Sequence, residues 1–375
     1  MIYLDVNATT PLEPDVAKVL RHYFEEEYGN AGSRTHDFGA KALKAVQKAR
    51  EQIAHVVGAQ REEVVFTSGA TEANNLAILG LRQEGLRTGR RHVITTSVEH
   101  KAVLEPFAAL ERDGFDVTTL PVGKSGAFST DDLACALRDD TLLVSLMHAN
   151  NETGIVQPIE AAAGVLGGHP AYLHTDAAQT FGKLHPPLKC DRIDLISISG
   201  HKIFGPKGIG ALIARRRRFT RPPLAPLMFG GGQEYGLRPG TLPVPLVAGF
   251  GVAAELALQE AEARQERCRK VRHEALAALA PLKPHFIGDQ STVLDHVLNF
   301  SVPQLDSEAL MIGVNHLVAI SNGSACTSSS YTPSHVLTAM GYDEDEANSC
   351  VRVSWCHLTP AVDWDALSAA IAELV

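Results

Sequence analysis

The sequence predicts an α/β fold: a large unit on a mostly parallel seven-stranded sheet, followed by a smaller C-terminal α+β unit. Three observations carry that prediction. Short, largely apolar runs recur between about residues 15 and 215, segments with helical spacing lie between several of them, and the alternation stops beyond residue 215. Strands that are apolar throughout, rather than on every second residue, belong to sheets covered on both faces.

The runs in order are EVVF (63–66), HVITT (92–96), VTTLPV (117–122), LLVSLMH (142–148), AYLHTD (171–176), LISIS (195–199) and IGALIA (209–214). Ahead of the first, Phe38, Ala42, Val46, Ala49, Ile53 and Val57 recur at helical spacing, and Gly58 is a natural stop. IGALIA follows its predecessor through the turn GPKG, which suits an antiparallel return. The four arginines at 215–218 read more readily as a solvated turn than as a phosphate-binding patch. The stretch PPLAPLMFGGGQEYGLRPGTLP is too rich in Pro and Gly for regular structure. One long helix is expected over about 245–276, bridging two domains, with the α+β unit over about 280–375. Its last helix is expected to start with Thr359 as N-cap and Pro360 at the first helical position, with Trp364, Leu367, Ile371 and Leu374 as its apolar stripe. The expected division is 15–255 as the large domain, and 1–14 with 256–375 as the small one.

Hydrophobic residues make up 45% and charged residues 21% of the 375, with a net charge of −9. No overall basic field draws such a chain to nucleic acid or anionic lipid, so direct nucleic-acid binding is not expected. The start, MIYLDVNATTPLEP, lacks a charged segment followed by an apolar run, and no stretch approaches the ~18 consecutive apolar residues of a membrane span. The expectation is a cytoplasmic protein without membrane contact. None of the six cysteines forms a CxxC pair, so no metal site is expected. Five of them read as small buried hydrophobes.

Chemistry-bearing residues cluster where strands should end. FTSGATEANN (66–75) reads as strand, glycine turn and helix start, a junction that can hold an anion or merely cap a helix. Asp176 ends an apolar strand, where a carboxylate needs a partner. That partner is either a salt bridge or a protonated pyridine nitrogen of the kind pyridoxal phosphate presents. Lys202 lies just past the next strand; a sheltered lysine there can form a Schiff base, whereas an exposed one would be ordinary surface. Ser199 and His201 beside it can donate to phosphate. Alternation places Arg352 and Ser354 on one strand face and Val351, Val353 and Trp355 on the other. Cys326 sits in SNGSACTSSSYTPS, a glycine- and hydroxyl-rich stretch without apolar periodicity, which suits a mobile loop (about 321–333) better than a core.

In order along the chain, YLDVNATTP (3–11), FTSGATEANNLAI (66–78), EHKAVL (99–104), MHANNETG (147–154), HTDAAQ (174–179), SGHKIFGPKG (199–208), GGGQEYGLRPGT (230–241) and SNGSACTSSS (321–330) resemble the signature segments of cysteine desulfurases of the NifS/IscS-like group. These are class V aminotransferase-like, fold-type I pyridoxal-phosphate enzymes. The resemblance implies conversion of L-cysteine to L-alanine, with sulfur passing to Cys326 as a persulfide for an acceptor protein. It implies Lys202 as the Schiff-base lysine that also moves the α-proton, Asp176 on the pyridinium, and His100 stacked over the ring and assisting proton transfer. Gln179 and Asn151 would contact the phenolic oxygen, with Asn151 and Arg352 on the substrate. Ala70, Thr71, Ser199 and His201 would hold the phosphate, and Thr241 would reach the phosphate of the neighbouring subunit in a homodimer.

The chain departs from the usual pattern at Phe229 and Tyr235, which replace a His and an Arg, and at Trp355-Cys356-His357 after the arginine strand; by analogy both lie near the active-site mouth or a dimer contact. Tyr331 and the SWCH tetrapeptide are similar to desulfurases of the DndA-like group that feed DNA phosphorothioation, while the cysteine's context resembles those serving iron–sulfur cluster assembly and tRNA thiolation. Alternatives are another class V enzyme, such as an aminotransferase or selenocysteine lyase, and a catalytically idle scaffold for sulfur partners.

Overall fold

The computed structural model describes residues 1–323 and 334–374; Cys326 and Tyr331 lie outside the described residues. From the N-terminus the elements are β1 (Ile2–Tyr3), α1 (Pro14–Glu25), α2 (Asp37–Val57), β2 (Val64–Thr67), α3 (Ala70–Leu79), α4 (Arg82–Thr88), β3 (His92–Thr96), α5 (Lys101–Arg112) and β4 (Asp116–Leu120). Then come α6 (Thr130–Ala136), β5 (Thr141–Ser145), α7 (Ile159–Leu166), β6 (Tyr172–Asp176), β7 (Leu195–Ser199) and β8 (Gly210–Ala214). The remainder is α8 (Val244–Gln259), α9 (Ala261–Leu279), β9 (His285–Phe286), β10 (Val297–Ser301), α10 (Ser307–Gly313), β11 (Val318–Ala319), α11 (His335–Ala339), α12 (Glu344–Asn348), β12 (Cys350–Ser354) and α13 (Trp364–Ala372).

All seven expected strands join one sheet in the order β2-β8-β7-β6-β5-β3-β4. It is parallel except that β8 runs antiparallel to both β2 and β7. Every residue of β2, β3, β5, β7 and β8 is buried, as a sheet covered on both faces requires. Gly58 ends α2 with φ +69°, a conformation glycine adopts without Cβ strain. A second, antiparallel sheet runs β12-β10-β9, and β1 pairs with β11. Its apolar cluster, which includes Leu4, Val271, Leu298, Phe300, Val353 and Trp355, is separate from the clusters around the large sheet.

Four expectations are corrected. The single helix over 245–276 is two helices, α8 and α9, bent by 73° at Glu260. No proline or glycine breaks the sequence there; α8 packs on α1 and α2, α9 packs on α13, and the two docking directions set the bend. The last helix is capped by Asp363, which accepts from the Ala366 amide at 2.9 Å, while Thr359 accepts from the Cys356 amide instead. Its stripe of Trp364, Leu367 and Ile371 is buried, but Leu374 is exposed. The arginine run is not a solvated turn throughout. Arg215 is buried and donates to the carbonyls of Val57, Leu188, Cys190 and Ile193, and Arg217 pairs with Asp194. Finally, Cys350 and Cys356 are buried and Cys190 and Cys268 half-buried, whereas Cys135 is exposed.

Candidate active site

The parallel strands all present their carboxyl ends to one edge, where an open α/β sheet collects ligands. A cleft of about 590 Å³ opens there, lined by Asp176 from the end of β6, Ser199, His201 and Lys202 after β7, Met147 and Asn151 after β5, Ser68 to Thr71 at the start of α3, and His100 at the start of α5. Asn7 and Ala8 from the N-terminal segment and Arg352 from β12 close its other side. The strand-to-helix turn fits because two glycines meet: a Cβ on Gly210 would lie 2.7 Å from the backbone of Gly69.

Each acidic and basic group has a defined setting. Asp176 accepts from Asn74 Nδ2 at 2.7 Å and from the Ala178 amide at 2.9 Å. Lys202 Nζ donates to the carbonyls of Asn7 and Ala8. His100 Nδ1 accepts from the Ala102 amide at 3.0 Å, which leaves its proton on Nε2. Burial pushes the His100 imidazole down, aided by Lys202 and His335 against the pull of Asp176. His201 is driven down to about 4 by burial and by the neighbouring lysines, and its Nδ1 meets Thr9 Oγ1 at 3.1 Å. Both imidazoles are therefore neutral at pH 7. Next to His100 in the chain, the Glu99 carboxyl is pushed up to about 8 by burial and then Asp176, although it accepts from the Met147 amide at 2.7 Å and Thr96 Oγ1 at 2.9 Å.

Arg352 is buried, with Nη1 on the Asn151 carbonyl at 2.9 Å and Nη2 on Asp5 Oδ1 at 2.6 Å. Its strand alternates as expected: Val351, Val353 and Trp355 enter the apolar cluster around Leu298 and Phe300, while Ser354 Oγ accepts from the Asn7 amide. Gln179 Nε2 donates to the Asn7 carbonyl, yet Gln179 Oε1 and Asn7 Oδ1 are buried without a partner among the described residues. Orphaned polar atoms at a cleft wall await a ligand that can satisfy them. The carboxylate, lysine and anion-binding turn around this space fit a pyridine ring carrying a phosphate.

Of the residues the sequence singled out, Ala70, Thr71, His100, Asn151, Asp176, Gln179, Ser199, His201, Lys202 and Arg352 converge on this cleft. Thr241 does not; it is exposed, as are Leu227, Met228 and Phe229 near it in the chain. Tyr235, at φ +60°, stacks under Arg50 and Arg221, with its ring centroid 4.1 Å from the Arg221 guanidinium carbon. Trp355, Cys356 and His357 line a different cavity, not the mouth of this one. Asp5, Asn7, Asn74 and Glu99 went unassigned although they stand inside the quoted motifs; their type alone does not reveal that they orient other residues.

The profile of the class-V aminotransferases matches residues 2–367. The chain is 45% identical to "Cysteine desulfurase IscS" of Anaeromyxobacter sp., over 100% of this chain and 92% of that protein. Among solved structures it is similar to DndA from Streptomyces lividans, at 48% identity and a TM-score of 0.84, covering 96% of this chain and 100% of that one. It is also similar to SspA in complex with cysteine, at 40% identity and a TM-score of 0.82, covering 94% and 98%.

Proposed function

Because the chain belongs to the class-V aminotransferase family and is a pyridoxal-phosphate-dependent cysteine desulfurase, we propose that Lys202, Asp176, His100 and Arg352 activate the substrate while Cys326 takes its sulfur. The observation that carries this reading is the meeting of those first four side chains in one cleft. When bound, pyridoxal phosphate supplies an electron sink for the substrate's α-carbon. Asp176, oriented by Asn74 and Ala178, holds the pyridine proton. Ala70, Thr71, Ser199 and His201 receive the phosphate, with the α3 N-terminus adding its dipole. Gln179 and Asn151 meet the phenolic oxygen, and their place in the cleft wall supports that role.

Arg352 takes the substrate carboxylate, and Asn151 helps orient the same molecule. Lys202 Nζ removes the α-proton and returns it, and neutral His100 carries a second proton through Nε2. The Cys326 thiolate attacks the substrate sulfur. An S–S bond forms as the Cβ–S bond breaks; the bonding pair stays with the carbon skeleton, which is protonated and leaves as alanine. Mass spectrometry of Cys326 after cysteine treatment tests this: one added sulfur is expected on Cys326. Unchanged alanine release by Cys326→Ala would overturn it in favour of a lyase-type reaction that does not use this cysteine.

The working unit is a homodimer in which Thr241 reaches the phosphate of the neighbouring subunit; its exposure beside Leu227, Met228 and Phe229 supports this. Mixing inactive Lys202→Ala with Thr241→Ala chains tests shared sites, since partial recovery of activity is expected only in a mixed dimer. The division at residues 1–14 with 256–375 against 15–255 is our proposed boundary, supported by the bend at Glu260. The sulfur goes to an acceptor protein. Similarity to DndA, with the SWCH tetrapeptide and Tyr331, supports a DNA-phosphorothioation acceptor. Co-purification of a DNA-modifying protein is the expected outcome, and recovery of only an iron–sulfur scaffold would count against it. No described helix is by itself long and apolar enough to cross a membrane, in keeping with cytoplasmic action.

A further inference from the structure

A second cavity of about 530 Å³ lies between the two sheets' units, walled by the start of α9, the segment 291–296, the residues after β12 and the turn 182–184. Its walls are chiefly apolar, with Val156, Leu184 and Val293 half-buried along them and Trp355 packed behind. Inside it stands Lys183, whose Nζ meets a neutral partner, His296 Nε2, at 3.3 Å. Burial holds His296 well below its ordinary value, so it offers a lone pair and no charge. Among the described residues no carboxylate pairs with Lys183. The other charges at the cavity are committed or lie apart: Arg264 binds Glu13 and Glu260, each at 2.8 Å, His357 also binds Glu13, and Asp295 lines the wall without pairing to the lysine. An ammonium in an apolar chamber without a counter-ion is costly unless a ligand supplies one.

We propose that this cavity binds a small carboxylate with an apolar body, its carboxylate on Lys183 Nζ and its body against Val156, Leu184 and Val293. One cation with a neutral imidazole matches a single negative charge, whereas a phosphate dianion would require more donors. The walls belong to segments that also serve the catalytic cleft: Phe204 follows Lys202 by two residues and Cys356 follows Arg352 by four. The site thus sits where the small unit meets the segments bearing the reaction.

Both tryptophans of the chain report on the cavity, because Trp364 packs edge-on against Trp355 at 6.1 Å. Tryptophan fluorescence of the holoenzyme is titrated with octanoate and, as the neutral analogue, 1-octanol. At pH 7 octanoate should bind saturably and at least tenfold more tightly than 1-octanol, and Lys183→Met should erase that preference. Between pH 7 and 9 only Lys183 among the groups facing the ligand changes charge, because burial drives its amine down to about 8 while Cys268 is pushed up to about 12 and Cys356 is also raised. The octanoate affinity of the unaltered enzyme should therefore fall about tenfold by pH 9, with 1-octanol unaffected. Equal affinities at pH 7, no saturable response, or a preference that survives Lys183→Met would overturn the proposal. Should that variant lose its cofactor absorbance and so fail as a control, a preference unchanged from pH 7 to 9 in the unaltered enzyme would overturn it equally.

Discussion

Two cavities of this molecule are each organised around one lysine, and they hold it in opposite ways. Lys202 stands at the strand ends, its Nζ gripped by the carbonyls of Asn7 and Ala8 and surrounded by side chains whose orientation is fixed by further hydrogen bonds. Lys183 stands between apolar walls with an imidazole as its partner. The first lysine is embedded in dipoles that fix its position. The second carries a charge its surroundings do not balance. Buried cations that cost stability persist where they recognise something, and catalytic ones persist where they are positioned.

The sharpest way to break that contrast is to remove each amine in turn. Lys202→Ala should lower turnover by about 10³-fold or more, the scale of a lost positioned acid–base group. Lys183→Met should leave turnover within about threefold at saturating cysteine. Comparable losses from the two would mean that both lysines serve the reaction.

Stability separates them next. The Lys183 amine in the folded state sits near 8, below its ordinary 10.5. Between those values the unfolded chain binds the proton that the folded chain has lost, so folding is penalised below pH 8 and the penalty fades as pH rises to about 10.5. Lys183→Met should therefore stabilise the protein at pH 7 by up to the order of 3 kcal/mol, the gap closing towards pH 10.5, as read by urea unfolding. A destabilised variant would show that the amine is compensated after all.

In the catalytic cleft, Asp176→Asn should cost about 10²-fold in turnover, in line with loss of a buried charge partner, and should weaken cofactor retention measured by absorbance. The smallest effect belongs to Arg352→Lys. A point charge cannot reproduce the two-pronged grip, so KM for cysteine should rise about tenfold with little change in kcat.

The catalytic cleft was largely legible in the sequence, and the second cavity was not. Strand ends, Lys202 and Asp176 follow from apolar runs broken by polar residues at fixed places in the chain. Lys183, Cys268, His296 and Cys356 are scattered through the chain and share no spacing, so only packing unites them. The bend at Glu260 was hidden because helix formers flank it on both sides and two docking surfaces decide the direction. Thr359 lost its expected capping role to Asp363, since either could serve locally. Arg215 was misread because four adjacent arginines look solvated, whereas carbonyls at the ends of α2 and before β7 draw one of them inward. Cys326 itself lies outside the described residues, so its assignment rests on the sequence and the family.

Arg352 already holds a carboxylate, that of Asp5, before any amino acid arrives. Under the proposed role of Arg352 as the substrate's clamp, binding would be an exchange of one anion for another rather than the filling of an empty socket. Part of the grip is cancelled on entry and refunded on exit. A tethered rival that cannot diffuse away keeps the arginine from clinging to alanine, the product that bears the same carboxylate, and so favours its departure over its retention.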